Sequence, residues 1–361
     1  LRHQGVTVCL LKGSQSAGQR RAVRRALEAG EVDVVVGTHA LIQGGVCFHD
    51  LRVAVVDEQH RFGVRQRDAI IGGEDGRSLW PHMLHMSATP IPRTLSLTLY
   101  GDLDISVLDE MPAGRRPVRT RLVAAGDEHR MWEFVRKQVS MGRQAYVVCP
   151  LIEESDSLEA ASARRTFEDL SAGELAGCRL RLLHGQLPPA EKAAAMTAYV
   201  AGEADVLVST SVIEVGVDVV NATVMVILGA RRFGLSQLHQ LRGRVGRGSE
   251  ESYCFLLAES DDEAAHERLA LFARTSDGFK LAEADLQARG EGQLFGERQS
   301  GSGDLEVASL LRDRKLLEEA RYEAEKLLGE ALGNTVPPPV QLVVEAARDR
   351  FAQRIAWMDR A

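Results

Sequence analysis

The residues 53–65 read VAVVDEQHRFGVR, four apolar side chains running straight into a carboxylate pair, an amide, an imidazole and a guanidinium. In an open α/β sheet, ligands bind at the carboxyl ends of the strands, so Asp57 and Glu58 sit where a ligand would be held. One carboxylate can hold Mg²⁺ through water, because this ion keeps most of its hydration shell and takes few protein ligands. The other can orient a water for attack on a terminal phosphate. A strand ending in two solvated acids is the plainer alternative, and the pair by itself does not decide between them.

Two other runs carry chemistry of the same kind. MSATPIPRT (86–94) places Ser87 and Thr89 at the end of a strand-like segment. QLHQLRGRVGRG (237–248) alternates glycine with Arg244 and Arg247, so that two guanidinium groups can project from a tight backbone. Arginine suits bidentate phosphate contact and stabilises charge on a transferring phosphoryl group.

The elements that must position these residues follow an alternating rhythm. Strand-like runs fall at 6–11, 33–38, 53–58 and 82–89, and again at 144–152, 179–185, 205–219 and 222–228. Helical patterns separate them; the first of these stops at Gly30, a residue suited to a helix C-terminus. Continuous apolar strands alternating with helices predict parallel sheets covered on both faces. Residues 108–120, LDEMPAGRRPVRT, concentrate Pro, Gly and Arg and read as a linker. After Arg247 the strand rhythm fades, and from Asp261 the pattern is helical.

Composition narrows the class. The 361 residues, 45% hydrophobic and 26% charged, describe an ordinary globular protein long enough for two domains. The net charge of −7 gives no general attraction to nucleic acid, so any DNA contact must come from local basic patches. The five cysteines are scattered without a C-x-x-C pair, which points to a reducing compartment and to neither zinc nor disulfides. No apolar run approaches the ~18 residues of a membrane span.

The order DEQH, SAT and Q-x-x-G-R-x-G-R resembles motifs II, III and VI of superfamily 2 helicases. The runs DEQHRFGVRQR, SATPIPRTLSLTLYGDLDISVLDEMPAGRRPV, STSVIEVGVDVVNATVMV and RFGLSQLHQLRGRVGRG resemble the RecG branch of ATP-dependent DNA translocases. So does DGFKLAEADLQARGEGQLFGERQSG (277–301), which is similar to the translocation motif that branch shares with the transcription-repair coupling factor.

The resemblance implies an α/β protein with two RecA-like parallel-sheet lobes, followed by a helical hairpin and a helical tail. The first lobe is expected at 1–110, N-terminally truncated and carrying motifs Ib to III. A linker at 111–118, the second lobe at 119–260, the hairpin with its loop at 261–303 and the tail at 304–361 follow.

It also implies site roles. Asp57 holds Mg²⁺ through water and Glu58 activates the attacking water, with Gln59 and His60 linking nucleotide state to neighbouring motifs. Ser87, Ala88 and Thr89 relay that state, as do Arg268, Arg289 and Gln299 of the translocation motif. Gln240, Arg244 and Arg247 match motif VI; Gly216 and Asp218 match motif V, at the nucleotide. Gly13, Ser14, Gly37, Thr38, His39 and Thr210 are the DNA-phosphate contacts.

The implied cofactors are ATP and Mg²⁺. The implied partners are branched duplex DNA, at forks and Holliday junctions, and a single-stranded DNA-binding protein, for a monomer in the bacterial cytosol. A transcription-repair translocase and a non-catalytic DNA-binding scaffold are the alternatives.

One expected part is missing from the sequence. A phosphate loop needs G-x-x-x-x-G-K-[ST]. None of the six lysines follows a glycine. The expectation is a C-terminal fragment, lacking the wedge domain and the Walker A motif, that hydrolyses ATP weakly or not at all alone.

Overall fold

The computed structural model describes residues 2–42, 45–58, 81–87, 104–108, 110, 114–150, 156–210, 218–258, 262–289, 314–331, 338 and 340–346. It divides into two compact units, Leu1–Ala88 with Tyr322–Ala361, and Thr89–Arg321.

Among the described residues, the first unit holds two parallel strand pairs. β1 (Val8–Leu11) pairs with β2 (Val34–Gly37), joined by α1 (Ala17–Glu28). Ser16 begins α1 with a reciprocal cap: its Oγ accepts from the Gln19 N–H, and the Gln19 side chain accepts from the Ser16 N–H. The helix ends where the sequence predicted. Gly30 has a φ of 74°. The N–H groups of Gly30 and Glu31 return to the carbonyls of Leu27 and Ala26, closing a left-handed C-terminal turn. β3 (Val53–Val56) pairs in register with β4 (His82–His85).

The second unit is built on a six-stranded, wholly parallel sheet of order β5-β10-β9-β6-β8-β7. Its strands are β5 (Arg119–Val123), β6 (Gln144–Val148), β7 (Leu180–Leu183), β8 (Val206–Ser209), β9 (Ala222–Ile227) and β10 (Tyr253–Leu257). Every residue of β6, β8 and β9 is buried, which is why they read as unbroken apolar runs. Their alternate side chains enter two separate cores. Ala145, Val147, Val206, Val208, Val224 and Val226 meet α2 (Glu128–Ser140) and α3 (Asp156–Ala172). Tyr146, Val148, Leu207, Met225 and Ile227 meet α4 (Pro189–Val200), α5 (Leu235–Arg242), α6 (Glu263–Arg274) and α7 (Gly278–Arg289). Among the described residues a further helix, α8 (Arg314–Ala331), follows α7 in the chain, and the division between the units falls within it, after Arg321.

Two readings of the sequence are corrected. The strand rhythm does not end at Arg247, because β10 lies beyond it and sits inside the sheet between β5 and β9. β5 begins within the run read as linker, and it is the edge strand, where alternating arginines face outward from a buried partner.

Candidate functional site

Parallel pairing delivers the chemistry-bearing residues to the carboxyl ends of strands. In the first unit, Asp57 and Glu58 follow β3 directly, and Ser87 stands two residues beyond β4. The Met86 N–H donates to the Val56 carbonyl at 2.8 Å, so the two strand ends, and with them Asp57–Glu58 and Ser87, lie side by side. Glu58 has a φ of 54°, a left-handed conformation uncommon for a residue with a Cβ. Asp57 Oδ1 supports it by accepting from the Glu58 N–H at 2.9 Å. Gln59, His60, Ala88 and Thr89 lie outside the described residues.

The second pair of the first unit assembles a polar edge. Gly13 and Ser14 are exposed between β1 and α1. The turn is pinned by Gln15, whose Oε1 accepts from the Lys12 N–H and whose Nε2 donates to the Leu10 carbonyl. Gly37 ends β2 opposite Leu11, and a Cβ there would stand 2.4 Å from the Leu11 carbonyl oxygen. Thr38 and His39 continue into a short 3₁₀ turn, His39–Leu41, with the Thr38 N–H donating to Leu11 O at 3.3 Å. The structure therefore brings Gly13, Ser14, Gly37, Thr38 and His39 to one edge.

In the second unit the arginine-bearing loop 243–248 leaves the C-terminus of α5. Gly246 takes a φ of 75°, and a Cβ there would approach Val118 Cγ2 to 2.9 Å. Arg115, from the run read as linker, donates to the carbonyls of Gly246 (3.1 Å) and Gly243 (3.3 Å), holding the loop's backbone from outside. Arg247 Nε also donates to Gly243 O, at 3.3 Å, and its Nη1 lies 3.3 Å from Asp218 Oδ1. Gln240 and Arg244 are half-buried. Gly216 lies outside the described residues.

Tyr146, on β6, is fully buried in the field of this group. Its hydroxyl is pushed up to about 12, by burial first, with Arg244 and Arg247 acting against that shift and Asp218 with it. Sequence reasoning missed Tyr146 because nothing in an apolar strand marks one aromatic as lying near two arginines.

Thr210 follows β8, and its N–H donates to Leu183 O at 3.3 Å. Its side chain is 1% exposed and its hydroxyl has no hydrogen-bond partner, so in this arrangement it presents nothing to solvent. His184, which follows the neighbouring β7, is 2% exposed and both its ring nitrogens also lack partners. Burial lowers the His184 pKa, and Arg164 and Lys192 lower it further. The imidazole lies in the strand-like run 179–185, and nothing in that run marks it, because only strand pairing sets it beside Thr210.

Of the translocation-motif residues, Arg268 falls on α6 and Arg289 on α7. Arg268 Nη2 donates to the Arg231 carbonyl at 2.5 Å. Arg289 is the last residue of α7, its side chain outside the description; Gln299 lies wholly outside it.

Among the described residues, no cluster of three or more His, Cys, Asp or Glu side chains could hold a metal ion, and no helix is long and apolar enough to cross a membrane.

Comparison with known proteins places these features. The helicase conserved C-terminal domain matches residues 129–249, and the C-terminal part of domain 3 of ATP-dependent DNA helicase RecG matches 275–357. The ATP-dependent DNA helicase RecG of Thermotoga maritima is 47% identical over 338 residues, 94% of this chain and 43% of that protein. That of Bacillus subtilis is 48% identical over 324 residues, 90% of this chain and 47% of that protein. A RecG structure bound to a three-way DNA junction superposes with a TM-score of 0.66 at 47% identity, covering 87% of this chain and 40% of that one. The helicase MrfA bound to DNA, at 19% identity and a TM-score of 0.54, shares the fold. The chain thus spans less than half the length of each of these RecG relatives. On the order of its motifs, the parallel sheet that carries them and this identity over nearly its whole length, the chain belongs to the RecG family.

Proposed function

We propose that this chain is the larger part of the motor of an ATP-driven translocase that remodels branched duplex DNA. The observation that supports it most is the loop 243–248. Arg115 holds its backbone, Arg247 pairs with Asp218, and Arg244 stands beside them at the C-terminus of α5. Arg247 held in this way, with Arg244 on the same braced backbone, can meet the charge that develops on a transferring phosphoryl group. The proposed domains are a first RecA-like lobe over 1–110, a linker at 111–118, a second lobe over 119–260, a translocation hairpin over 261–303 and a helical tail over 304–361.

Asp57 and Glu58 supply the other half of the chemistry. The Asp57 carboxylate is exposed at its strand end with one oxygen engaged by the Glu58 N–H, a hard oxygen donor that fits Mg²⁺ held through water. When bound, that ion would neutralise charge on the nucleotide phosphates. Glu58 orients and deprotonates the attacking water. Gln59, His60, Ser87, Ala88 and Thr89 relay nucleotide state, and Arg268, Arg289 and Gln299 pass it to the hairpin. Gly13, Ser14, Gly37, Thr38 and His39 grip the DNA backbone through small residues and backbone amides, contacts that position without reading sequence.

No G-x-x-x-x-G-K-[ST] occurs in the 361 residues, so the proposed hydrolysis needs a phosphate cradle that this motif does not provide here. Forks and Holliday junctions are the proposed substrates, a single-stranded DNA-binding protein the proposed partner, a monomer the acting form, and the bacterial cytosol its place.

The test grafts this chain in place of the matching 324 residues of the Bacillus subtilis relative. The hybrid should hydrolyse ATP when given fork DNA and unwind the fork, and Glu58→Gln should abolish both. A folded hybrid that binds forks without hydrolysing ATP would instead establish the scaffold reading.

A further inference from the structure

The quoted run QLHQLRGRVGRG contains three arginines, and the functional reading uses only two of them. The third, Arg242, is 6% exposed although it carries a permanent charge. A buried guanidinium is costly unless its donors are satisfied and its charge is met. Here both conditions hold, and the partners lie on another element. Arg242 Nη1 donates to the carbonyls of Phe272, at 3.0 Å, and Thr275, at 2.8 Å. These lie at the C-terminal end of α6, where helix carbonyls lack intrahelical partners and the helix dipole favours a cation. The guanidinium also lies over the Phe272 ring, 4.1 Å from its centre, as a cation on an aromatic face does. Its Nη2 donates to His239 Nδ1, one turn back on α5, at 3.1 Å.

The other end of α5 is held in the reciprocal sense. Asp285, on α7 and 8% exposed, accepts from the Leu235 N–H through Oδ1 at 3.4 Å. That N–H is one of the orphan donors at a helix start, where the dipole favours an anion. Between these two ends, Leu235, Leu238 and Leu241 of α5 pack in one core with Leu269 and Phe272 of α6 and Leu281 of α7.

We infer that Arg242 and Asp285 are positioning residues that fasten the α6–α7 pair to the two ends of α5, so that the three helices move as one body. Arg242 is two residues from Arg244. Displacement of the arginine loop is thereby delivered to α6 at its C-terminus and to α7 through Asp285, with no flexible step between. This rests on the reading of Arg244 and Arg247 as the nucleotide-facing arginines; the clamp itself does not.

Amide hydrogen exchange on the intact chain tests it. Amides of 238–242 in α5 and 281–286 in α7 should exchange in the wild type with one common opening rate, as a single cooperative unit. Arg242→Gln and Asp285→Ala should each raise exchange in α7 by about tenfold or more, while β6, β8 and β9 keep their wild-type rates. Asp285→Asn retains an oxygen that accepts from Leu235 and should restore the wild-type pattern. Independent opening of α5 and α7 in the wild type would overturn the proposal, as would equal acceleration of helices and sheet in the variants.

Adding a three-way DNA junction separates this from the functional reading. Junction binding should change exchange in α5 and α7 together in the wild type, and in one of them alone in Arg242→Gln. Joint opening in the first experiment, with no response to the junction anywhere, would uphold the clamp and count against the branched-DNA function. A junction response in α5 that leaves wild-type α7 unchanged would overturn the coupling.

Discussion

Arg247 reaches Asp218 at 3.3 Å while its own Nε donates to the Gly243 carbonyl, so one side chain ties the loop's two ends to the residue that precedes β9 by a short turn. The pair is half-open to water: 31% of the Arg247 side chain and 56% of Asp218 are exposed. Its value to stability and its value to chemistry should therefore differ widely.

For stability, a double-mutant cycle of Asp218→Asn and Arg247→Gln, followed by urea unfolding, should give a coupling of about 0.2–1 kcal/mol, the range of exposed ion pairs. In the Bacillus subtilis hybrid, Arg247→Ala should lower fork-stimulated ATP hydrolysis by about 10³-fold, as loss of a transition-state arginine does. A hybrid whose hydrolysis tracks only the small stability loss would remove Arg247 from the chemistry.

Gly37 and Gly13 should respond oppositely to the same change. A Cβ at Gly37 meets the Leu11 carbonyl oxygen at 2.4 Å and Leu41 Cγ at 2.8 Å, and the first of these is backbone that cannot swing aside. Gly37→Ala should destabilise the first unit by about 2 kcal/mol, within the range of overpacking strain. At Gly13 a Cβ meets nothing within 4 Å. Gly13→Ala should therefore fall within about 0.5 kcal/mol of wild type. Thermal unfolding with exchange resolved to β1 and β2 checks both.

Acid should loosen the second unit through His239. Its pKa is lowered from 6.5 to about 4, by burial first, then by Arg242, with Asp277 opposing and Arg115 adding to the depression. The neutral ring is the form that accepts from Arg242, so protonation would set two cations in contact. The unfolded chain binds this proton below pH about 6.5, whereas the folded chain binds it only near 4. Stability should be complete above pH 6.5 and fall as pH drops from 6.5 towards 4, with a slope of at most about 1.4 kcal/mol per unit. His239→Gln, which keeps an acceptor but cannot titrate, should flatten that slope in parallel urea titrations. His129, exposed between Glu174 and Glu133, is shifted upward and acts with the opposite sign in both proteins, so it cancels from the comparison.

Tyr199→Phe should cost nothing. The Tyr199 ring is fully buried against Tyr146, at 4.9 Å between centroids, yet its hydroxyl has no hydrogen-bond partner. Removing an unsatisfied buried hydroxyl while keeping the ring leaves packing intact and relieves a desolvation cost. Urea unfolding should show unchanged stability or a gain of up to about 1 kcal/mol. A clear loss of stability would mean the hydroxyl makes a bond in solution.

What the linear order determined is local. Apolar runs of strand length, broken by helical patterns, specified parallel α/β architecture because buried parallel strands need no polar face. Gly30 marked a helix end because a left-handed turn is open to glycine. The acids after β3 and the arginines after α5 were legible because a parallel strand or a helix delivers its next residues to one edge, whatever surrounds it. β5 escaped because RTRLV alternates like an exposed segment, which an edge strand is, and β10 because YCFLL is too short a run to separate strand from helix by period.

Tertiary structure alone decided what the other residues are for. Arg242 and Arg244 are two positions apart and chemically identical, and no pattern in QLRGRVGR distinguishes the one stacked on Phe272 from the one beside the loop. Asp285 lies 50 residues from the N–H it accepts. His184 and Thr210 become neighbours only when β7 pairs with β8. A side chain's charge is written in the sequence; whether that charge meets water, a carbonyl or a ring depends on surfaces contributed by distant segments, and these exist only once the cores have closed.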